Sequence, residues 1–529
     1  AQIKGAANYL LENVSDFTTD EEPVDPNELI TFKDDLTELY CVSNWDTDGD
    51  EKISRGEAAA VTDIGTVFKG TDISSFDELE YFTGVTSLPD FTDCKYMESI
   101  SVPGQITSFG GNSFSGCVKL KSVNIPSLSI WFGGLYSARP FISSKGGDLY
   151  VNGELVTDVS VPVGLMKQYL FSYVTSLRCV TLEEGTTTID YGAFLGCSNL
   201  TEIAIPETVT TIGDGAFMNC ASLSGVNLPE QITSINGYAF KGCTSIESVV
   251  LPSNLSTINV QTFYGCSSLM NVVIPDGVTG IGYEAFRNCI ELDNVVIPGS
   301  VKTIGILSQS HGVFEGCTSL SSIILSEGVE RLYFHTFIGC TSLKTISLPE
   351  SIIEVGQGAL LVRNATNVNN LLPSDCIQTI EVYPNNVSLL GDACSWAIGY
   401  IVSPKNIIIR KNSLTYSLPD YSLKDFSYLE SIILPSGLTS VGVQALKNCS
   451  ALKTVDFPST LRAIESEALV GCGSLESIML RSSTPPALAS GALNNTNNCP
   501  IYVPASSVET YRTAENWSNY ADRIQCDPS

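Results

Sequence analysis

A short acidic segment near the start of the chain has the residue types and spacing of a calcium ligand set. Residues 46–57 read DTDGDEKISRGE, with acidic residues at positions 1, 3, 5 and 12 and an apolar residue at position 8. Calcium takes about six to eight oxygen ligands, and this spacing lets one tight loop supply them. The predicted ligands are the side chains of Asp46, Asp48 and Asp50, the backbone carbonyl of Lys52 and a bidentate Glu57.

The same segment resembles the calcium loop of EF-hand proteins and of dockerin modules. It departs from that pattern at position 6, where Glu51 replaces the glycine that normally makes the sharp turn. Glu51 therefore requires a strained or modified loop, and the alternative is a solvated acidic turn that binds no metal. A second loop, which calcium sensors use, is not evident. We expect any bound Ca²⁺ to be structural and to brace the N-terminal end.

Catalytic chemistry has few residues to draw on in this sequence. His311 and His335 are the only histidines. The sequence therefore has too few histidines to favour a catalytic triad, a histidine metal site or a histidine acid–base relay. No carboxylate pair stands out from the acidic surface, and no glycine-rich phosphate loop is present. We expect no enzymatic activity and no catalytic residues.

Most of the 17 cysteines share one sequence position. Each lies three residues before the Leu, Met or Ile that begins an apolar strand, so stacked copies would be about 4.8 Å apart with parallel side chains. That geometry is poor for disulfides, and we predict buried free thiols. Cys376, Cys394, Cys499 and Cys526 lie outside this pattern and could pair. The patterned cysteines are Cys94, Cys117, Cys197, Cys220, Cys243, Cys266, Cys289, Cys317, Cys340, Cys449 and Cys472.

The elements that position these residues repeat every 23 residues. Each unit has a short strand of the form Leu-x-x-Ile-x-Ile-Pro, ended by proline, and a second extended piece, Thr-x-Ile-Gly. A Gly-Ala-Phe-x-x-Cys phrase follows, which we interpret as one helical turn that buries the Phe and the Cys. Because successive strands run in the same direction, they must pair in parallel. The prediction is an α/β solenoid with 23-residue coils and one long parallel sheet, capped at both ends.

These phrases resemble the BspA-like leucine-rich repeats, which are known from surface proteins of host-associated anaerobic bacteria. The resemblance rests on strands such as Leu269 to Pro275 and turns such as Ala285 to Cys289, and it covers roughly residues 85–482 with two interruptions. It implies a leucine-rich-repeat fold. It also implies adhesion or ligand binding through a surface, because such repeats generally carry recognition rather than catalysis.

Breaks in the period divide the chain into seven segments. Asn152-Gly153 predicts a type I′ hairpin in the first break, residues 406–416 look like a second hairpin, and the extra residues around 308–311 should bulge outward. Ser507 could cap a terminal amphipathic helix that extends to Ile524. Each break is interpreted as an insertion, although it could instead separate two arrays. The segments are an acidic cap with the calcium-type loop (1–84), first coils (85–128), a hairpin insertion (129–160), the main array (161–356), a second insertion (357–419), last coils (420–482) and a C-terminal cap (483–529).

The candidate binding surface lies at strand positions that the repeat leaves free. Alternation along each strand points the residue before the last apolar position outward, and four consecutive coils place Val or Ile there. A contiguous exposed apolar stripe tends to mark an interaction site; the alternative is that β-branched side chains simply pair well between strands. The predicted surface consists of Val250, Val273, Val296 and Ile324, with Ser248, Asn271 and Asn294 in the neighbouring outward position.

Charge limits the class of partner. The net charge of −29 makes nucleic acid an improbable partner, since phosphate binding needs clustered Lys and Arg. An anionic membrane is disfavoured for the same reason. The sequence contains no run of about 18 apolar residues, so we expect no segment that spans a bilayer. The chain starts at Ala1 without an initiator Met, which fits a mature protein whose signal or lipid anchor has been removed.

The sequence therefore predicts a non-enzymatic protein, secreted or displayed on a cell surface, that recognises a host or microbial macromolecule. Its partner would be a protein or a glycan, and we expect a monomer. The main alternative is a rigid spacer or stalk that binds nothing specific. A glycan-binding accessory protein is a further alternative.

Overall fold

The structure is a computed structural model that describes residues 25–305, 311–362, 375–394, 403–411 and 415–528. The chain forms two compact units, Ala1–Leu155 and Val156–Ser529. The bulge predicted at residues 308–310 lies outside the described residues, as does much of the segment predicted as a second insertion.

Unit 1 begins with two short helices that flank the acidic loop. Helix α1 spans Asp35–Trp45, and the side chain of its N-cap residue Asp34 accepts a hydrogen bond from the Thr37 amide. Helix α2 spans Arg55–Ala60 and starts with a capping box between Ser54 and Glu57. Both caps satisfy amides that a helix N-terminus leaves unpaired. The loop therefore ends in a carboxylate that already has a role in starting α2.

The sheet of unit 1 contains four parallel strands and one antiparallel edge strand. Asn152 (φ 50°) and Gly153 (φ 82°) connect the last two strands, and positive φ at both positions is what a type I′ turn requires. The predicted hairpin is confirmed. The strands are β1 Ser75–Phe76, β2 Ser99–Ser101, β3 Ser122–Ile125, β4 Asp148–Val151 and β5 Glu154–Leu155, in that order across the sheet.

Strand β4 also pairs in parallel register with β3, so the segment before the hairpin is an enlarged coil. Its extra length is taken up by helix α3, Leu128–Gly133, and a 3-10 helix, Leu135–Ala138. Another 3-10 helix, Asp77–Tyr81, follows β1. The boundaries 85–128 and 129–160 remain predictions.

Unit 2 is a parallel β-solenoid with coils of about 23 residues, as predicted from the repeat. Each regular coil contributes one strand to each of two ladders, and the pairing between these strands is parallel. The first ladder comprises β6 Asp158–Val161, β7 Cys179–Leu182, β9 Glu202–Ala204, β12 Ser248–Val250, β14 Asn271–Val273, β16 Asn294–Ile297, β18 Ser322–Leu325, β20 Thr345–Ser347, β22 Thr379–Val382, β23 Asn406–Ile409, β25 Ser431–Ile433, β27 Thr454–Phe457, β29 Ser477–Leu480, β31 Ile501–Val503 and β32 Ile524–Cys526.

The second ladder is made of shorter strands. They are β8 Thr188–Ile189, β10 Thr211–Ile212, β11 Ser234–Ile235, β13 Thr257–Ile258, β15 Gly280–Ile281, β17 Thr303–Ile304, β19 Arg331–Leu332, β21 Glu354–Val355, β24 Tyr416–Leu418, β26 Leu438–Val441, β28 Ala463–Ile464 and β30 Ala487–Leu488.

Neither ladder is a single continuous sheet. The first divides into β6-β7-β9, β12 to β18, and β20 to β32, and the second divides into β8-β10-β11, β13 to β21, and β24 to β30. At the first break, Gly225 makes only an isolated bridge to Glu202. Glycine weakens a strand because it has no side chain to pack and loses the most entropy on ordering.

The interior of the coils is filled by columns of identical side chains. Eight phenylalanines from Phe171 to Phe337 stack on each other, with ring centroids 5.3–6.0 Å apart. The eleven patterned cysteines are buried and free, as predicted. Each Sγ lies 2.9–3.3 Å from a backbone carbonyl of the preceding coil, for example Cys243 from Phe217. The column thus satisfies its weak donors without disulfides.

The Gly-Ala-Phe-x-x-Cys phrases form turns, and the predicted helical turn is wrong. Within a coil, the Cys220 amide donates to the Phe217 carbonyl (3.1 Å), while the Asn219 amide donates to Lys241 of the next coil (2.7 Å). Two residues of this turn, four apart, take positive φ: Gly215 (57°) and Asn219 (63°). The amides of Gly215, Phe217 and Asn219 each donate to the next coil, and a helix with i to i−4 bonds could not direct every second amide there.

The second predicted hairpin, over residues 406–416, is also wrong. Strand β23 pairs in parallel with β22 and β25, whereas β24 pairs with β26 in the other ladder. The two strands therefore belong to one coil rather than to a hairpin. A 3-10 helix, Pro384–Leu389, and helix α4, Leu390–Ala393, lie earlier in the same irregular region.

The C-terminal end is closed by two buried aromatic residues. Tyr511 donates to the Ser482 carbonyl (2.8 Å), and the Trp517 indole donates to the Pro486 carbonyl (2.7 Å). The predicted single helix to Ile524 is replaced by the 3-10 helix Ala505–Ser507, helix α5 Val508–Thr513, the 3-10 helix Trp517–Arg523 and strand β32. Helix α5 ends where its C-cap residue Ala514 takes an extended conformation.

Candidate binding surface

The four predicted stripe residues lie side by side on one face of the β12 to β18 sheet. The exposed fractions are 65% for Val250, 60% for Val273, 52% for Val296 and 56% for Ile324. Val250 pairs with Val273, and Val296 pairs with Ile324 in parallel register. Asn271 pairs with Asn294, which keeps the middle strands in the same register. We call these four residues the apolar stripe.

The neighbouring outward position supplies a polar edge to the stripe. Ser248, Asn271, Asn294 and Ser322 are exposed and pair across adjacent strands. The buried residues between the two rows, such as Val272 and Val295, belong to the core. The structure thus brings together every residue predicted for this surface.

A groove adjoins the stripe where the first ladder is broken. Residues 224–230 run without a strand between β9 and β12, and the groove is lined by Glu202, Ile203, Asn227, Leu228 and Val250 among others. At the opposite end of the stripe, the outward position of β20 is Ser347. The stripe is therefore confined to four coils.

The charges around the stripe are acidic. Glu247, Glu291 and Asp293 precede the strands, while Asp276 and Glu327 follow them, and all five are exposed. Glu247, Asp276 and Glu291 form no ion pair with any described residue. The electrostatic potential over this face is therefore negative at both edges of an apolar centre.

The basic residues of the same coils are engaged elsewhere. Lys302 lies 3.5 Å from Glu330 beside the second ladder. Lys241 and Arg287 belong to the turns, where they contact the ring of Tyr264 at 4.6 and 5.7 Å. Their charges are thus matched away from the stripe.

The turns of unit 2 contain a polar network that was not predicted from the sequence. Lys241 donates to Gln261 (2.5 Å), and Gln261 donates to Glu284 (2.6 Å). Arg287 pairs with Glu284 and lies 2.9 Å from Glu315. Glu284 and Glu315 are buried, so these bonds offset the cost of removing two carboxylates from water.

His311 completes this network, with its Nδ1 atom 3.0 Å from Glu315. A signal for the network exists in the sequence, because Lys241, Arg287 and Glu315 occupy the same turn position of different coils. Opposite charges in one column of a solenoid predict an ion pair between coils. Since its charges are matched, the network fits a role in rigidity.

The predicted calcium-type loop brings three of its ligands together. Asp46, Asp48 and Asp50 each have a carboxylate oxygen within 4.8 Å of the others. Asp46 accepts hydrogen bonds from the amides of Gly49 (2.7 Å) and Glu51 (3.0 Å), which hold the turn. Glu51 has φ 62°, the left-handed conformation expected where glycine is missing.

The carboxylate of Glu57, another predicted ligand, is already hydrogen-bonded. Glu57 accepts from Thr47 through one oxygen (2.7 and 2.8 Å) and from Ser54 through the other (2.9 Å). Burial opposes ionisation of Glu57, but these hydrogen bonds outweigh it and lower its pKa to about 2. The side chain of Lys52 pairs with Glu38 at 3.0 Å.

The loop also has a backbone partner. The Ile30 amide donates to the Ile53 carbonyl (2.8 Å), and Leu29 bridges Ser54 in antiparallel fashion. This short extended segment supports the loop where a second loop would otherwise do so. This segment has no recognisable sequence pattern, because a two-residue bridge has no periodicity.

The repeat phrases match a known sequence profile. The profile described as BspA type leucine rich repeat region matches residues 64–133, 164–292, 257–384 and 402–514, which together exceed half of the chain. The chain belongs to the BspA-type leucine-rich-repeat family. This confirms the resemblance drawn from the strand and turn phrases. No curated protein sequence matches this BspA-type chain.

Solved structures of leucine-rich-repeat proteins resemble the BspA-type chain. A leucine-rich repeat protein from Bacteroides ovatus is 22% identical, covering 84% of this chain and 88% of that one, with a TM-score of 0.34. A leucine rich cell surface protein from Faecalibacterium prausnitzii is 19% identical, covering 71% and 87%, with a TM-score of 0.31. The T. pallidum leucine rich repeat protein is 29% identical, covering 38% and 79%, with a TM-score of 0.25.

None of the helices in the described part of this BspA-type chain combines the length and the apolar character that crossing a bilayer requires.

Proposed function

We propose that this BspA-type protein is a non-enzymatic recognition protein that binds a protein partner through the apolar stripe. The observation that carries the proposal is the in-register exposure of four β-branched side chains on consecutive coils. Burial of each side chain in an interface is worth up to about 1.5–3 kcal/mol. Four such residues supply the apolar centre that interfaces need.

Strand pairing alone does not account for the stripe. The same outward position holds Ala204 in β9, Ser347 in β20, Glu381 in β22 and Asp456 in β27. The solenoid therefore tolerates small, polar and charged residues at this position. β-Branched residues in four adjacent coils exceed what the fold requires, which favours selection for binding.

The charges favour a partner with an aliphatic patch flanked by Lys or Arg. Glu247, Glu291 and Asp276 would meet those cations at the edges of the stripe. Such pairs raise the association rate at low ionic strength more than they raise affinity. We therefore expect association to slow as salt is added, while dissociation depends mainly on the valines.

A matched set of variants tests the proposal. Val273→Lys and Val296→Lys place a charge within the stripe. Ile433→Lys is the control, because Ile433 has the same outward position in β25 and is 55% exposed. Partners captured by the wild-type chain from host and microbial proteins would be identified, purified and measured by surface plasmon resonance.

The proposal expects both stripe variants to lose at least tenfold in affinity while the control retains it. Circular dichroism would establish that all three variants fold. Equal affinities for all four proteins would contradict the stripe and support the alternative of a rigid spacer. An equal loss in the control would assign the effect to charge alone.

We propose further that the Asp46–Glu57 loop binds one structural Ca²⁺. Its support is the donor set, since three carboxylates converge within 4.8 Å and calcium prefers oxygen ligands. Glu57 would have to exchange its hydrogen bonds with Thr47 and Ser54 for the ion. Calorimetry should detect one calcium site that Glu57→Gln weakens; no heat with the wild-type chain would refute the site.

The proposed setting is a cell surface or the extracellular space, where the family resemblance places such repeats. A monomer with a protein partner fits the proposal best. A glycan-binding accessory role is the second candidate partner class for the same surface. A glycan array run beside the protein captures would separate the two.

A further inference from the structure

Unit 1 contains a cleft that the proposed function does not use. It has a volume of about 1040 Å³, just above the range of about 300–1,000 Å³ for small-molecule sites. One wall is formed where strands β2, β3 and β4 end, at Ser101, Asn124 and Asn152. Arg55 of α2 and Tyr81 also line the cleft. The cleft is therefore framed by regular elements.

The charges lining the cleft are balanced. Its ionisable groups besides the Tyr81 phenol are Arg55 and Glu80. The Arg55 guanidinium lies 3.0 Å from Glu28 and 4.8 Å from the centroid of the Tyr81 ring, so its charge is already occupied. A phosphate or carboxylate ligand would find no free cation here, which favours a neutral ligand.

The remaining polar groups are neutral donors and acceptors. Asn124 Oδ1 accepts from the Gly153 amide (2.9 Å), which fixes the orientation of its amide group. Gln105 also lines the cleft, with Nε2 at 3.5 Å from the carbonyls of Leu79 and Glu80. Asn152 is exposed, and its side chain forms no hydrogen bond with any described residue. An amide offers both a donor and an acceptor, which matches adjacent hydroxyl groups.

We propose that this cleft binds a short neutral oligosaccharide. The amides of Gln105, Asn124 and Asn152 would bond its hydroxyl groups, and the Tyr81 ring would provide apolar contact area for a sugar ring. The proposal rests only on residues 26–152 and does not depend on the apolar stripe. Either proposal can fail while the other stands.

Two variants remove amides without disturbing the fold. Asn152→Gly keeps the type I′ turn, because glycine readily adopts φ near 50°. Gln105→Ala removes a second amide that lines the cleft. Gln525→Ala is the matched control, since Gln525 is exposed on β32 and lies outside the cleft.

The test is calorimetry of the full chain with maltotriose, cellotriose, xylotriose and chitotriose at millimolar concentration. The proposal expects at least one trisaccharide to bind, with at least fivefold weaker binding in Asn152→Gly and in Gln105→Ala and none of that loss in Gln525→Ala. Absence of binding by every trisaccharide overturns it, as does binding that neither cleft variant weakens. Binding of inorganic phosphate at the same cleft also overturns it, because the charge argument would be wrong.

Discussion

The stacked phenylalanines predict that damage to one coil stays local. Phe240 is 1% exposed and lies between Phe217 at 5.3 Å and Phe263 at 5.6 Å. Phe240→Ala removes both ring contacts and leaves a cavity, at a cost of about 3–5 kcal/mol. In a solenoid each coil contacts only its neighbours. The substitution should therefore lower the free energy of local opening of the adjacent coils.

The buried thiols report that opening. The Sγ of Cys243 donates to the Phe217 carbonyl and that of Cys266 donates to the Phe240 carbonyl, and both are fully buried. Burial also raises the pKa of Cys266 to about 12, so the folded thiol is unreactive at neutral pH. A loss of about 4 kcal/mol corresponds to a roughly 10³-fold rise in the opening constant.

The assay is native-state alkylation followed by peptide mass spectrometry. In Phe240→Ala, labelling of Cys243 and Cys266 should accelerate by about 10³-fold, following the opening constant. Tyr238→Ala is the control, because Tyr238 belongs to the same coil but is 37% exposed. Unchanged labelling would refute the packing argument. Equal acceleration at the distant Cys472 would refute local opening, since the whole unit would then unfold together.

Three further outcomes follow from individual residues. The pKa of Glu57 is lowered to about 2, so its contribution to stability is complete above about pH 4.5 and is lost as the pH falls towards 2. In Glu57→Gln, the free energy of unfolding should therefore decline less steeply over this pH range than in the wild-type chain. Glu51→Gly relieves a left-handed residue and should stabilise the loop by about 0.5–1 kcal/mol in urea unfolding. Cys526 is exposed and should be the first thiol to react with Ellman's reagent in the native protein, which Cys526→Ser would abolish.

The columns of the solenoid could be predicted because one residue type recurs at a fixed step. The 23-residue step alone predicts that Phe240 and Cys243 lie in the core and that Val273 lies on the surface. The turns could not be predicted in the same way. Asn219 adopts positive φ so that its amide reaches the next coil, and such a bond between coils leaves no local pattern.

The pairing of strands could not be predicted from the sequence either. Residues 406–409 and 416–418 alternate in the same manner whether they pair with each other or with neighbouring coils. The structure assigns them to different ladders. The polar network around Glu284 was missed for a related reason, since its members are distant in sequence. The bidentate role predicted for Glu57 competes with its role in capping α2, and calorimetry is the measurement that decides between them.

The apolar stripe has a fixed spacing that a partner must match. Adjacent parallel strands are about 4.8 Å apart. The side chains of Val250, Val273, Val296 and Ile324 are therefore spaced at that interval along the stripe. Along an extended strand, the side chains on one face are about 6.6 Å apart. A strand aligned with the stripe would therefore be displaced from the last stripe residue by about 5 Å after three intervals. One turn of an α-helix advances by about 5.4 Å, so a helix aligned with the stripe would be displaced by only about 2 Å over the same three intervals. The step between coils thus discriminates between partners by shape, and it favours a helix aligned with the stripe.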